Sequence, residues 1–130
     1  MQEQRLALRP TIASAVVRAD MSADEQFQNA TLRPILKLQH PLLMQVLSHF
    51  LQSRKKDFKQ LSAAKKEAYI YDLLLKNQAL KNELKGMLIG QFTLAEYQKY
   101  QQQAQAINKR MMQLLKQRLA DGIKDPTFIC

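Results

Sequence analysis

Residues 86–97 constrain the fold more than any other stretch, because one helix must end and another begin within a few positions. Gly90 can adopt the positive φ that often closes a helix, at little steric cost. Thr93 and Glu96 have the spacing of a capping box, in which the hydroxyl accepts from the third helical amide and the carboxylate accepts from the amide of Thr93. The apolar residues around this corner therefore need other helices to cover them.

Apolar residues in the rest of the chain recur with the period of a helix. Between residues 31 and 51 they follow one another at intervals of 3, 4 and 7 positions, which places them on one buried face. A later seam keeps a heptad spacing and consists of Tyr97, Tyr100, Ala104, Ile107, Met111 and Leu114. Only three Gly and four Pro interrupt the 130 residues. The sequence therefore predicts an all-α fold, a compact bundle of about five or six helices.

Two of the predicted helices have individual features. The last is the longest and covers about residues 94–120. It packs on the helix at 31–51, which Pro41 bends because its missing amide removes a bond from the helix interior. Upstream of that helix two possibilities stay open: a new helix begins at Thr31, or one helix runs through with a kink at Pro34.

The length of the chain is sufficient for one domain and short for two. We expect an N-terminal arm or short helix at residues 1–21, a single helical domain at 22–120 and a C-terminal tail at 121–130. In the arm, a weak apolar stripe and Pro10 predict a short helix over residues 9–18. The domain begins with Ser22 and Glu25, which have the spacing of a second capping box.

Two stretches hold more apolar surface than a small monomer easily covers. Residues 68–75 are apolar on most sides of their helix, and the heptad seam at 97–114 adds a second stripe. Together they predict a homodimer. Asn77 is expected to cap the following helix. Gly86 and Gly90, four residues apart, predict a close approach of two helices at the corner.

The net charge of +9 is unevenly placed: residues 1–52 contribute +1, residues 53–85 contribute +5, residues 86–120 contribute +4 and residues 121–130 contribute −1. The predicted basic surface consists of Arg54, Lys55, Lys56, Lys65, Lys66, Lys109 and Arg110. Such a surface suits an acidic protein or the phosphates of a nucleic acid, whose binding falls steeply with salt. The same charges are also ordinary on the solvated faces of a helical bundle, and no helix-turn-helix spacing, zinc finger or RNA-binding aromatic pattern accompanies them.

A mixture of polar and apolar residue types marks one candidate site. Asn29 and Arg33 are four residues apart, so they share a helical face on which Arg33 could hold an anion or a carboxylate. The alternative is a purely structural role at the helix junction. If the protein is a small enzyme, we expect Asn29, Arg33, His40 and Tyr97 to meet in a closed pocket.

Other site types find little support in the sequence. His40 and His49 are nine residues apart and fall on opposite sides of a straight helix, whereas a catalytic zinc needs about three protein ligands. We therefore predict neither a metal site nor a cofactor. The single Cys130 cannot form an internal disulfide. No signal peptide and no membrane span are evident, so a cytoplasmic protein is expected.

Two stretches carry a resemblance to a known family. They are residues 27–39, with Phe27, Arg33 and Pro34, and the segment from Gly86 through Thr93 to Arg118. Over about residues 22–120 the chain resembles a family of small, uncharacterised, all-helical bacterial proteins. Automatic transfer of function names sometimes labels these proteins glyoxalase. The resemblance implies a helical fold and assigns no residue roles. Metal-dependent glyoxalases are built from βαβββ modules with His and Glu ligands, which this sequence does not offer.

The sequence as a whole favours a non-enzymatic binding or assembly protein whose basic surface suits an acidic partner. One alternative is a small enzyme with a polar pocket near residues 25–40. The other is a nucleic-acid-binding protein, which salt-dependent retention on nucleic acid would distinguish.

Overall fold

A computed structural model describes residues 2–12, 16–54 and 57–128. Its helices are α1 (Gln2–Leu8), α2 (Ala23–Phe27), a π-helical turn (Gln28–Leu32), α3 (Arg33–Gln52), a 3-10 turn (Phe58–Gln60), α4 (Ala63–Lys76), α5 (Gln78–Ile89), α6 (Leu94–Gln102) and α7 (Ala104–Gly122). Since α2, the π-turn and α3 follow one another without a break, the described ranges contain six helical bodies and no strand. The predicted all-α fold is confirmed.

The π-turn resolves the two possibilities near Pro34 in favour of one continuous helix. Pro34 has no amide, and its ring would crowd the carbonyl four residues earlier in a regular α-helix. The amide of Arg33 bonds instead to the carbonyl of Gln28, five residues earlier, which widens the turn just before the proline. Pro41 lies inside α3, as expected.

The hydrophobic core lies where α3, α4, α5 and α7 pack together. Its fully buried side chains include Leu43 and Leu47 of α3, Ile70 and Leu74 of α4, Leu80, Leu84 and Leu88 of α5, and Ile107, Met111 and Leu115 of α7. Each helix contributes residues three or four positions apart, so each buries one stripe. None of the helices in the described ranges is long and apolar enough to cross a membrane.

The α2–α3 rod and α7 run in the same direction. Arg110 near the start of α7 contacts Asp24 of α2, and Arg118 near its end contacts His40 of α3. Gly122, the last residue of α7, lies directly against Met44. A β-carbon added to Gly122 would stand 2.5 Å from the sulfur of Met44, so the two helices approach closely here.

The prediction of one unbroken last helix is wrong. Gln103 leaves the helical region, with φ −145° and ψ 44°, and separates α6 from α7. The two halves of the heptad seam then face different surroundings. Tyr97 is 40% exposed on α6, whereas Ile107 and Met111 are buried in the core. The heptad spacing therefore does not form one apolar face across α6 and α7, because the packing of α7 in the core determines which residues are buried. Tertiary contacts commonly outweigh local sequence preferences in this way.

Two expectations about the glycines are also wrong. Gly90 ends α5 with φ −60°, in the right-handed region, so no positive φ is needed. A β-carbon on Gly86 would meet nothing within 4 Å, so this pair does not mark a close helix approach. The corner between α5 and α6 is stabilised instead by the capping box of Thr93 and Glu96 at the start of α6.

The caps predicted from the sequence are present. Thr93 and Glu96 form the complete capping box, with each side chain bonded to the backbone amide of the other residue. At the start of α2 the structure has only the serine half of the predicted capping box, in which the hydroxyl of Ser22 accepts from the amide of Glu25. Asn77 caps α5 by accepting from the amide of Leu80. These side chains satisfy amides that a helix start leaves without a partner.

The N-terminal arm is anchored to the corner between α5 and α6. The expected helix over residues 9–18 is wrong, because the described positions 9–12 and 16–18 are not helical and α1 precedes them. Pro10 disfavours the helical conformation at Arg9. Arg5 donates to the carbonyl of Phe92 at 3.0 Å, and the guanidinium of Arg9 binds Glu96. At the other end of the chain Phe128 packs back on the core, and Ile129 lies outside the described residues.

Candidate anion-binding site

A cavity of about 410 Å³ lies between the first half of α3 and the end of α7. Its lining consists of Arg33, Leu36, His40, Leu114, Gln117, Arg118, Asp121, Gly122 and Asp125. The charged lining residues come from α3, from α7 and from the segment after α7. They are neighbours only because the two helices run side by side in the same direction.

Two half-buried arginines face this cavity from opposite helices. Arg33 starts α3, and its Nε donates to the side-chain oxygen of Asn29 at 3.0 Å. Asn29 in turn donates to the carbonyl of Val16 at 3.0 Å, which fixes its orientation. Arg118 lies 3.3 Å from Nδ1 of His40. Within the described part of the chain, neither arginine forms an ion pair with a carboxylate.

The two guanidinium groups act on one another electrostatically. Burial lowers the pKa of Arg118 from its usual value, and the positive charge of Arg33 lowers it further. Asp121 acts in the opposite direction without cancelling these effects. Like charges that share a partly desolvated site create a favourable position for an anion, since it would be attracted by both.

His40 completes the site as a neutral hydrogen-bonding group. Burial lowers its pKa below the usual value, the charge of Arg118 lowers it further, and Asp125 opposes both. Because a guanidinium can only donate, Nδ1 of His40 must accept from Arg118. The ring proton of the neutral histidine therefore resides on Nε2, which can donate to a ligand.

The two aspartates on the cavity wall have partners of their own. Asp121 pairs with Lys124 at 3.8 Å. Asp125 accepts from the amide of Thr127 at 2.9 Å and from its hydroxyl at 2.8 Å. These two bonds hold the pKa of Asp125 below its usual value. Among the described residues, Asp121 is thus the lining charge that has an ion-pair partner, and Arg33, Arg118 and Asp125 have none.

Three of the four predicted site residues come together and the fourth does not. Arg33 and His40 line the same cavity, and Asn29 holds Arg33 in place. Tyr97 does not line this cavity. It stacks on Tyr100 in α6, with ring centres 5.6 Å apart.

Sequence reasoning missed Arg118, Asp121 and Asp125 as members of this site. Arg118 follows Arg33 by 85 residues, and no local pattern links the two positions. The only sequence signal was Gly122 at the end of a long helix, where a small residue permits close packing. Which helix would pack there could not be read from the spacing.

The predicted basic surface is divided rather than continuous. Arg110 pairs with Asp24 at 2.5 Å and also donates to Gln28, so its charge is neutralised inside the fold. Lys109 lies beside it, at the α2 end of the long rod. Arg54 follows the far end of α3, and the helix between Gln28 and Gln52 is about 36 Å long.

The remaining described basic residues of the prediction, Arg54, Lys65 and Lys66, lie on either side of the segment between α3 and α4. Arg54 stacks on the ring of Phe50 at 4.1 Å, and Lys66 lies 5.6 Å from the ring centre of Phe58. Lys65 is exposed. Lys55 and Lys56 lie outside the described residues.

Metal coordination and similarity to known proteins do not identify the site. In the part of the chain that the structure describes, no three His, Cys, Asp or Glu side chains are grouped so that they could hold a metal ion. No protein-family model, no curated protein and no solved structure matched the chain.

Proposed function

We propose that this protein is a non-enzymatic binding protein that recognises an acidic group of a partner in the cavity of Arg33, His40 and Arg118. One observation carries the proposal: two half-buried arginines share a cavity and have no carboxylate partner among the described residues. A carboxylate or phosphate between them would accept charge-assisted hydrogen bonds from both. Nε2 of His40 supplies one further donor.

Binding is favoured over catalysis by the chemistry of the lining. Among its described residues, the cavity contains no serine, threonine, cysteine or tyrosine that could act as a nucleophile. Tyr97, the fourth residue of the enzymatic alternative, stacks on Tyr100 in α6 instead. Recognition of an anion requires only the donors that are present.

An acidic protein is favoured over nucleic acid as the partner. Asp121 and Asp125 line the same cavity and would repel a continuous row of phosphates. Arg54 and Lys109 lie at opposite ends of the α2–α3 rod, so they do not form one track for a backbone. A single acidic group between Arg33 and Arg118 places one negative charge near these aspartates instead of a row of charges, and it needs no continuous basic track.

A homodimer remains a prediction with partial support. Tyr71 and Leu75 are exposed on one side of α4, which suits an apolar contact between two copies. Ile107 and Met111 of the heptad seam are buried within the chain and contribute nothing to such a contact. A cytoplasmic location also stays a prediction.

Neutralising either arginine is expected to weaken sulfate binding at least tenfold. Sulfate serves as a probe of fixed charge, and a hydrogen bond to a charged group contributes about 1.5–3 kcal/mol, where 1.4 kcal/mol is a factor of about ten. Arg33→Gln and Arg118→Gln would be compared with the wild-type chain by ¹⁵N-edited NMR titration. Ionic strength is held constant with chloride.

The matched control is Lys109→Gln, which removes the same charge at an exposed residue outside the cavity. It should leave sulfate affinity within about twofold, since an exposed charge is largely screened. Equal losses in all three variants would mean that sulfate responds only to net charge. That result, or full affinity in both arginine variants, would contradict the proposed site.

Sulfate affinity is expected to rise about tenfold between roughly pH 8 and pH 5.5, because His40 gains a proton on Nδ1 in the complex and Arg118 then donates to the anion instead of to Nδ1. In the free protein burial and Arg118 lower the pKa of His40. A bound anion favours the imidazolium form and raises that pKa, so binding takes up a proton and tightens in acid. His40→Gln should remove the pH dependence, and His49→Gln, at an exposed position, should retain it. A pH-independent affinity in the wild-type chain would rule out His40 as a ligand group.

A further inference from the structure

A second cavity of about 500 Å³ continues the first one along α3. Its lining consists of His40, Pro41, Met44, Gln45, Ser48, Gln52, Gly122, Asp125, Thr127 and Phe128. His40, Gly122 and Asp125 belong to both cavities. The two spaces are therefore adjacent parts of one groove, which we call the α3 groove.

One face of α3 forms the length of this groove. His40, Met44, Ser48 and Gln52 follow one another at intervals of four residues, and Arg33 lies seven residues before His40 on the same side. Residues four apart lie above one another on a helix. At a rise of about 1.5 Å per residue, the groove extends about 28 Å from Arg33 to Gln52.

The chemistry of the α3 groove changes along its length. Arg33 and Arg118 make one end cationic, whereas the described lining of the second cavity contains no lysine or arginine. Met44 and the partly buried ring of Phe128 give that second part an apolar wall. Methionine adapts its shape to different apolar ligands, so this wall suits a side chain rather than another charge.

Amide side chains accompany the apolar wall. Gln45 and Gln52 line the second cavity, and an amide offers both a donor and an acceptor. A peptide backbone presents N–H donors and C=O acceptors in alternation, and glutamine side chains can form hydrogen bonds with both. A lone phosphate or sulfate would occupy the first cavity and use none of these features.

We infer that the partner bound at the α3 groove is an extended acidic peptide segment, with a carboxylate between Arg33 and Arg118 and an apolar side chain against Met44 and Phe128. The inference rests on the proposed anion-binding function and names its ligand class. Charge complementarity determines which end of the groove each recognised group occupies, because only the end with Arg33 and Arg118 attracts a carboxylate. A nucleic acid would place phosphates beside Asp125 and in a cavity whose described lining carries no cation.

The groove also predicts the spacing of the two recognised groups. Arg33 and Met44 are eleven residues apart in sequence, which corresponds to about 16 Å along α3. An extended chain covers about 3.3 Å per residue. The acidic and apolar residues of the peptide should therefore be separated by at most about five positions.

Synthetic peptides can test this spacing. The probes are fluorescein-labelled octapeptides of glycine and serine that contain one glutamate and one leucine, two to five positions apart. Fluorescence anisotropy should show a clear optimum at one spacing. At that optimum, replacement of glutamate by glutamine should weaken binding about tenfold, and ¹⁵N-edited spectra should show shifts at residues of both cavities.

Two variants separate the apolar part of the site from the anionic part. Phe128→Ala should weaken the best peptide about tenfold and leave sulfate affinity unchanged, because Phe128 lines only the second cavity. Phe50→Ala is the matched control, since Phe50 is a partly buried ring outside both cavities. It should change neither affinity. Thermal unfolding of both variants verifies that they are folded.

The outcomes distinguish this inference from the proposed function. If sulfate binds at the arginines but no peptide shows a spacing optimum, the peptide inference is overturned and the anion site stands. If a single-stranded oligonucleotide displaces sulfate and binds more tightly than any peptide, the inference is likewise overturned. If neither sulfate nor peptide binds, both proposals fall together.

Discussion

Replacement of Glu96 by alanine is expected to lower the free energy of unfolding by about 3 kcal/mol, because it leaves a buried charge without its partner. The side chains of Arg9 and Glu96 are only 6% and 14% exposed and form two bonds of 2.6 and 2.7 Å. Glu96 also accepts from the hydroxyl of Thr31 at 3.0 Å and from the amide of Thr93 at 2.8 Å. One carboxylate thus joins the arm, the π-turn and the start of α6.

Urea-induced unfolding measures this effect. Glu83→Ala removes the same type of side chain from an exposed position of α5 and should change the free energy of unfolding by less than about 0.5 kcal/mol. Arg9→Met combined with Glu96→Ala should cost less than the sum of the two single changes, since both break one pair. Additive costs would mean that the pair contributes no coupling.

The contribution of Glu96 should disappear in acid. Burial raises the pKa of its carboxyl, but the bonds from Arg9, Thr93 and Thr31 and the charge of Arg9 outweigh this effect and hold the pKa below 4.5. A carboxylate with a lowered folded pKa stabilises the fold above its unfolded pKa and loses that contribution as the pH falls through the folded value. The difference between wild-type and Glu96→Ala chains should therefore be full at neutral pH and shrink below about pH 4.5.

Leu74→Ala is the second substitution with a large expected effect, a loss of about 3 kcal/mol in the free energy of unfolding. Leu74 is 1% exposed between α4 and its neighbours, so truncation removes buried apolar surface and leaves a cavity. Its neighbour Leu75 is 64% exposed. Leu75→Ala should change the stability of the monomer by less than about 0.5 kcal/mol.

The two leucine variants also bear on the predicted homodimer. Stability would be measured for both at several protein concentrations. If Leu75→Ala lowers stability only at high concentration, the exposed face of α4 is part of an association surface. A loss of equal size in both variants at low concentration would contradict the burial of Leu74 and exposure of Leu75 described above.

Local signals predicted much of the fold. Thr93 with Glu96, Ser22 and Asn77 marked helix starts through the amides that their side chains can satisfy, and each is a cap in the structure. The apolar spacing between residues 31 and 51 marked the face of α3 that buries Leu43 and Leu47. These features depend only on residues within one or two turns, so a single sequence contains the necessary information.

Features that depend on distant neighbours were missed. Residues 73–75 are three leucines in a row, and nothing local distinguishes buried Leu74 from exposed Leu75. The break at Gln103 arises because α6 and α7 pack against different parts of the fold. In the candidate site, Asn29 and Arg33 were found because they share a helical face, whereas Arg118 was missed because its position depends on the pairing of α3 with α7.

The shared direction of α3 and α7 has a consequence for biosynthesis. Parallel neighbours cannot be joined by a tight hairpin, and here α4, α5 and α6 must all be made before α7 can dock. His40 and Arg118 are separated by 78 residues, so the loop that their contact closes spans more than half of the 130-residue chain. Such long-range closures come late in folding. A nascent chain therefore has no complete α3 groove until α7 has left the ribosome.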